Sequence, residues 1–342
     1  MSIKVLVFDY RESEKKFFGN NKFEQFDITF YNESLNEDFV KNLSEEQLES
    51  TYAISVFIDS EITENVINAF KNLRIISTRS TGVDHINLKA AAAKNIAVIN
   101  VEGYGSKAVA QFTIGLMISL VRRIVPASEY IAENEHGSCA NFLGRDLSNL
   151  TLGVVGTGAI GAAVCTLGCA FKMNVLAYDL SEKKELILNY DIKYTDLNTL
   201  LKNSDVVSLH IPYTGDNFHM FSDKQFSMMK DTAYIINTSR GEILDTFALY
   251  KALTEKKLAG AALDVAMCEQ VSFRCSQFSK QINTDIMCLQ EAKIVKELVK
   301  MDNVIITPHI AYETQDAIDY ILEVSFKGIL DCIKGGTEYR TY

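Results

Sequence analysis

Residues 150–179 read LTLGVVGTGAIGAAVCTLGCAFKMNVLAYD. An apolar strand-like run meets a glycine turn, a helix-like stretch and a second apolar run that ends in Asp179. Gly156, Gly158 and Gly161 have the G-x-G-x-x-G spacing. The first allows a tight turn, the second lets a pyrophosphate approach the backbone, and the third lets helix and strand pack closely. A helix opening at Ala159 and Ile160 points its free N–H groups at the phosphates. Asp179 falls within the roughly 20-residue reach of the acid that holds the ribose in such units. An acid there takes both ribose hydroxyls and repels a 2′-phosphate, which favours NAD over NADP. The glycine spacing alone is weak, because ordinary turns produce it by chance. The strand before it, the helix after it and the acid beyond make it a dinucleotide site.

Outward from this stretch, the chain has 342 residues, enough for about two domains. Its 47% hydrophobic and 23% charged residues are those of a globular protein. A formal net charge of −10 argues against a general nucleic-acid or anionic-membrane binder. No apolar run reaches the ~18–20 residues of a membrane span, and the opening MSIKVLVFDY lacks signal-peptide anatomy. The seven cysteines are scattered, with no C-x-x-C and no zinc spacing. Cys165 and Cys169, one helical turn apart, read as small hydrophobes. The expectation is a cytoplasmic protein in a reducing compartment, without a metal.

Strand and helix signals alternate on both sides of the glycine turn. IKVLVFD, YAISVFI (Tyr52–Ile58), LRIISTRSTG (Leu73–Gly82) and IAVIN read as strands before it. Ser44–Gln47 has capping-box spacing, a further helix begins near Thr63, and Leu88–Lys94 is helical. A helix from about Lys107 to Arg123 is apolar on more than one face, so it is buried, in part at a subunit interface. Ala127–Asn149 is polar and loop-like. After Asp179 come strands at Asp205–Pro212, Thr232–Gly241, Leu258–Val265 and NVIITP, with helices opening at Ser222–Gln225 and spanning Asp245–Lys257, about Leu289–Met301 and Glu313–Lys334. Asp205 reads as a solvent-facing strand start, and Ala266–Ile286 as irregular. The expected fold is α/β, with two doubly wound, Rossmann-like parallel-sheet domains. Residues 1–101 plus 310–342 form a discontinuous substrate domain, and 102–309 an NAD-binding domain.

In open parallel sheets ligands sit beyond the carboxyl ends of the strands. There the second half places His210-Ile211-Pro212, Asn237-Thr238-Ser239-Arg240-Gly241, Asp264 and Pro308-His309. Arg240 is suited to bidentate capture of a carboxylate, and His309 is a titratable proton donor. Glu269 can orient the imidazole and raise its pKa. Arg, His and acid together meet the needs of hydride transfer at a 2-keto acid. Singly, each has a plainer reading: a surface ion-pair Arg, a loop His, a solvated Glu. Their joint occurrence at successive strand ends outweighs those readings. His210 is given a cofactor-side role only, and His85, His136 and His219 none.

Seven pieces in order, STRSTGVDHIN, GYGSKAVAQFTIGLM, GVVGTGAIG, VVSLHIP, YIINTSRGEILD, GAALDV and NVIITPHIAYET, resemble the D-isomer-specific 2-hydroxyacid dehydrogenases along nearly the whole chain. The longer segment between Glu269 and Val304 is more similar to the D-lactate dehydrogenase branch. The resemblance implies that Arg240 holds the substrate carboxylate and carbonyl, that His309 is acid in reduction and base in oxidation, and that Glu269 pairs with it. It gives main-chain N–H groups of Thr81 and Gly82 to the carboxylate, and Tyr104, Tyr312 and Phe57 to the substrate pocket. It gives Gly156, Gly158, Ala159, Ile160, Gly161, Asp179, His210, Ile211, Pro212, Asn217, Thr238, Ser239 and Asp264 to NAD. Glu269-Gln270 stands where the family commonly has Glu-Pro, and Glu269 argues against the formate dehydrogenase branch, which uses Gln. The expected partners are a small 2-keto or 2-hydroxy acid and a second copy of the chain as a homodimer, with no nucleic acid and no membrane. Two alternatives stay open: a glyoxylate- or phosphoglycerate-type reductase of the same build, and a non-catalytic protein that senses NADH.

Overall fold

A computed structural model describes residues 2–19, 23–133, 142–273 and 286–341. His136, Cys139, Cys275 and residues 274–285 of the irregular segment lie outside them. The chain divides into two compact units, Met1–Tyr104 with Glu313–Tyr342, and Gly105–Tyr312.

The first unit holds five parallel strands, β1 (Ile3–Val7), β2 (Phe26–Phe30), β3 (Ala53–Val56), β4 (Ile75–Thr78) and β5 (Ala97–Ile99), in the order β2-β1-β3-β4-β5. Successive residues face opposite sides of a strand. Leu6, Ile54 and Ile76 accordingly enter one core, while Val5, Ala53 and Ile75 enter the other. The final helix, Gln315–Ile333, covers the second face with Phe326 and Ile329. A hydrogen bond of 2.7 Å between the Ser325 and Ser77 hydroxyls fixes it there. This is why the unit is discontinuous in sequence. Ser44 caps its helix as its spacing predicts, and Thr63 caps the helix expected to begin there.

The second unit holds β6 (Thr151–Val155), β7 (Asn174–Tyr178), β8 (Lys193–Tyr194), β9 (Val206–Leu209), β10 (Tyr234–Asn237), β11 (Gly260–Leu263) and β12 (Val304–Ile306), all parallel, in the order β12-β11-β10-β9-β6-β7-β8. Strand order reverses between β6 and β9, the switch point at which dinucleotides bind in such sheets. Val155 and Ile235 pack on one face, Val154 and Ile236 on the other. The helix Ser106–Val121 contributes to the second of these cores, with Met117 and Val121 buried.

Two expectations fail here. Ile124–Glu133 is helix, although the stretch from Ala127 reads as loop. Pro126 sits in its first turn, where a missing N–H costs no helical bond. Asp205 does not face solvent. It is 7% exposed, accepts a hydrogen bond from Thr151 N at 2.9 Å, and pairs with Lys230 and Arg145 at 3.2 and 3.3 Å. Burial opposes its charge, but these partners hold its carboxyl below the usual range.

Candidate active site

The glycine turn leaves β6 at Gly156, whose φ of +90° lies in the left-handed region that favours glycine. A Cβ at Gly156 would meet the His210 carbonyl oxygen at 2.6 Å, and one at Gly161 would meet the Gly156 oxygen at 1.8 Å. Both glycines are therefore needed for close packing. A Cβ at Gly158 would meet nothing within 4 Å. That is the open approach a pyrophosphate requires, in front of the helix Ala159–Ala170. Asp179 is drawn back toward this turn. Its Oδ2 accepts from Thr157 N and Thr157 Oγ1 at 2.5 and 3.0 Å, and its Oδ1 from Ser181 N at 3.0 Å. Burial resists its ionisation, but these donors prevail and hold the carboxyl below its ordinary value. Thr157, Tyr194 and Lys183 escaped the sequence reading. Tyr194 donates to Thr157 Oγ1, and Lys183 to the Gly158 carbonyl. The donor-rich turn, the open face at Gly158 and the ionised Asp179 fit a dinucleotide.

Across the switch point, His210 supports the turn rather than reaching from it. Its N–H donates to the Val155 carbonyl at 2.7 Å, and its Nε2 lies 2.8 Å from Ser208 Oγ. Burial pushes the imidazole down to about 3, so it is neutral. Ile211 packs against Gly156. Asn217 closes its own loop, donating to the Pro212 carbonyl and accepting from Thr214 N, both at 2.8 Å. Thr238 Oγ1 lies 2.9 Å from Thr113 Oγ1.

The chemistry gathers at the ends of β10, β11 and β12. Asn237 Oδ1 accepts from Ser239 N at 3.0 Å and from Ser239 Oγ at 2.8 Å, and its Nδ2 donates to the Arg240 carbonyl. These bonds shape the loop that presents Arg240. The guanidinium is exposed; Nη1 donates to the Ser239 carbonyl at 2.8 Å, and its other N–H groups have no partner among the described residues. Gly241 then packs against the next loop: a Cβ there would meet the Ala266 carbonyl carbon at 2.1 Å and Met267 N at 2.3 Å. Arg240 is thereby docked against the loop that leads to Glu269.

His309 Nδ1 lies 2.7 Å from Glu269 Oε2, while Glu269 Oε1 accepts from Ala266 N at 3.3 Å. His309 has a left-handed backbone, φ 55°, which is uncommon for a residue with a Cβ. Asp264 holds it there. Its carboxylate accepts from Thr307 Oγ1 at 2.5 Å, Ile310 N at 3.0 Å and Ala311 N at 2.9 Å, and its main-chain oxygen accepts from His309 N at 2.8 Å. Asp264 is fully buried, and its bonds shape the His309 loop. Burial would lower the His309 pKa. The hydrogen bond and charge of Glu269, with Asp264, outweigh burial and the opposing Arg240, and hold the imidazole above its usual value. The ring of Tyr312 stands edge-on to His309 at 6.5 Å.

The remaining substrate candidates belong to the first unit. Around Thr81 and Gly82 the carbonyls are occupied: Ser80 O accepts from Val101 N, Thr81 O from Asn100 Nδ2, and Gly82 O from Ser80 Oγ. The N–H groups of Thr81 and Gly82 have no partner among the described residues. Phe57 follows β3 and is 5% exposed, with the Arg11 guanidinium 5.3 Å from its ring centroid. Arg11 was not singled out in the sequence, which gives no pattern that pairs it with Phe57. Tyr104 ends the first unit.

Residues 114–311 match the family model described as D-isomer specific 2-hydroxyacid dehydrogenase, NAD binding domain. The chain is 37% identical to a D-specific alpha-keto acid dehydrogenase of Enterococcus faecium, over 85% of this chain and 87% of that one. It is 34% identical to a glyoxylate reductase of Thermofilum pendens, over 87% of this chain and 82% of that one. The solved structure of D-lactate dehydrogenase from Aquifex aeolicus, complexed with NAD and lactic acid, superposes with a TM-score of 0.84 at 35% identity, covering 98% of this chain and 97% of that one. The chain belongs to the D-isomer-specific 2-hydroxyacid dehydrogenases, NAD-dependent oxidoreductases of small 2-hydroxy and 2-keto acids. Among the described residues, no single helix is long and apolar enough to cross a membrane.

Proposed function

We propose that the chain reduces a 2-keto acid with a methyl or larger apolar side chain to the D-2-hydroxy acid, D-lactate or a homologue of it. The observation that carries this reading is the 2.7 Å pair of His309 and Glu269 beside the docked Arg240. When bound, NADH would supply the hydride chemistry at the keto carbon. His309, with Nδ1 turned to Glu269, presents Nε2 and gives its proton to the keto oxygen. Glu269 raises the proton affinity of that imidazole, which favours the charged form that gives the proton. Arg240 takes the carboxylate through the N–H groups that have no partner among the described residues, and stabilises negative charge growing on the oxygen, a contribution that reaches several kcal/mol in a dry site. In the first unit, the free N–H groups of Thr81 and Gly82 are the further donors assigned to the carboxylate. The Tyr312 ring beside His309 favours an apolar substrate side chain. We also assign Ala159, Ile160, Asp179, Ile211, Pro212, Thr238 and Ser239 to NAD, and a homodimer to the assembly.

A second reading, a glyoxylate reductase, is favoured by the name of the Thermofilum pendens relative. NADH oxidation with pyruvate, 2-ketoisocaproate, hydroxypyruvate and glyoxylate, with chiral analysis of the products, separates the two. D-hydroxy acids formed fastest from pyruvate or 2-ketoisocaproate support the first reading. A preference for glyoxylate supports the second, and no turnover of any keto acid refutes both.

A further inference from the structure

Cys268 and Cys288, 20 residues apart, are joined by a disulfide with a Cα–Cα distance of 5.5 Å. Cys268 immediately precedes Glu269. It adopts the left-handed conformation, φ 55° and ψ 46°, and caps the short helix Glu269–Ser272, its carbonyl accepting from Val271 N and Ser272 N at 2.9 and 3.1 Å. For a residue with a Cβ this backbone persists only where the surroundings enforce it. Cys288 lies in the first turn of the helix Ile286–Leu298, which Val295 and Leu298 anchor in the interior at 2% and 0% exposure. The bond therefore ties the turn that aims Glu269 to a firmly packed helix. Among the described residues, the Glu269 carboxylate has, apart from His309, a single 3.3 Å bond, from Ala266 N. Both cysteines are half-buried, within reach of a small thiol.

We propose that Cys268 and Cys288 are a redox-active pair, a thiol–disulfide exchange site for a reducing dithiol, and that the bond positions Glu269 against His309. This rests on the acid–base reading given above. In the exchange a dithiol thiolate attacks one sulfur and the S–S bond breaks. Two electrons and two protons pass to the protein, leaving two cysteine thiols, and the reductant departs as its own disulfide. Reduction frees the Glu269 turn from the helix. Glu269 then spends less time at His309, and the imidazole loses the partner that keeps it protonated. The other groups around His309 remain: Asp264 after β11, Arg240 after β10 and the Tyr312 ring. Loosening Glu269 thus lets burial and Arg240 act more strongly, and the proton affinity of His309 falls. Cys165 takes no part, because burial pushes its thiol up to about 12. Cys332 accepts a contact from Arg340 at 3.4 Å, on the other unit.

The test uses the full chain, before and after incubation with dithiothreitol and after reoxidation. Blocked-thiol peptide mapping should show residues 268 and 288 linked before and free after. On reduction, kcat for keto-acid reduction should fall about tenfold, as for a misplaced general acid. The pH at which this activity declines should move lower, KM for NADH should stay unchanged, and reoxidation should restore all of this. Cys288→Ser should resemble the reduced protein and ignore the reagent, whereas Cys332→Ser should respond as the wild type does. An unlinked pair in protein purified with thiols trapped, equal kcat and pH profile in both states, or a response that survives in Cys288→Ser overturns the proposal. Glu269→Gln tells its failure from that of the acid–base reading. Wild-type activity in that variant removes the acid–base pair itself, while loss of activity beside a redox-insensitive wild type removes only the switch.

Discussion

Gly241→Ala tests how tightly the Arg240 loop must dock. The backbone of Gly241 lies outside the left-handed region, so alanine meets no conformational penalty there. The obstacle is steric: the new Cβ would stand 2.1 Å from the Ala266 carbonyl carbon, 2.3 Å from Met267 N and 2.5 Å from the Ala266 oxygen, all of them backbone. Carbon atoms rest at about 3.5–4.0 Å, so the two loops must part by more than ~1 Å. Overpacking of this kind costs about 1–3 kcal/mol, and each kcal/mol lowers Tm by roughly 2–4 °C in a unit of this size. Arg240 lies one residue away, so the same displacement moves its guanidinium relative to His309. A shift of ~1 Å in a positioning group costs on the order of 10² in rate. Steady-state kcat/KM for keto-acid reduction, measured well below the lowered Tm, should therefore fall about a hundredfold, while the Kd for NADH changes little. A folded Gly241→Ala enzyme with kcat/KM within twofold of wild type would refute the docking argument.

Further outcomes follow from the geometry of the site. Reduction consumes the protonated His309, so its kcat/KM falls as pH rises through that group, whereas oxidation rises. Glu269→Gln removes the charge that holds the imidazole protonated, so pH profiles in both directions should move to lower pH; a profile that stays put counts against the pair. Asp264→Ala leaves Thr307 Oγ1 and the N–H groups of Ile310 and Ala311 without their acceptor. At about 1–3 kcal/mol per orphaned donor, urea denaturation should show a loss of ~3 kcal/mol or more, together with a fall in kcat. Asp179→Ser removes the charge that opposes a 2′-phosphate, so the kcat/KM ratio of NADPH to NADH should rise about tenfold or more.

What the sequence revealed were the features written in short-range pattern. The glycine spacing and the apolar runs around it gave the second unit, Ser44 and Ser222 cap helices where their spacing says they should, and Thr63 opens the helix expected near it. Arg240, Glu269 and His309 were legible because strand ends converge in a parallel sheet. Long-range partners were not. Asp205 begins a strand, but its carboxylate is claimed by Thr151, Lys230 and Arg145 from elsewhere in the chain. Asp264 has the position of a cofactor residue, yet its three donors come from the loop more than 40 residues on. Cys268 and Cys288 carry no spacing signature, and only the meeting of two helices pairs them. The helix Ile124–Glu133 runs into the polar stretch from Ala127 that reads as loop, and its first turn tolerates Pro126.

The central claim is that His309, held by Glu269, moves the proton in keto-acid reduction. It is tested most directly by kcat/KM for NADH-dependent reduction of the best 2-keto acid by His309→Ala, beside wild type at the same pH, with NADH binding verified by fluorescence. NADH binding should stay intact, with a loss of about 10²–10⁴ in kcat/KM. A His309→Ala enzyme within a few-fold of wild type would contradict it.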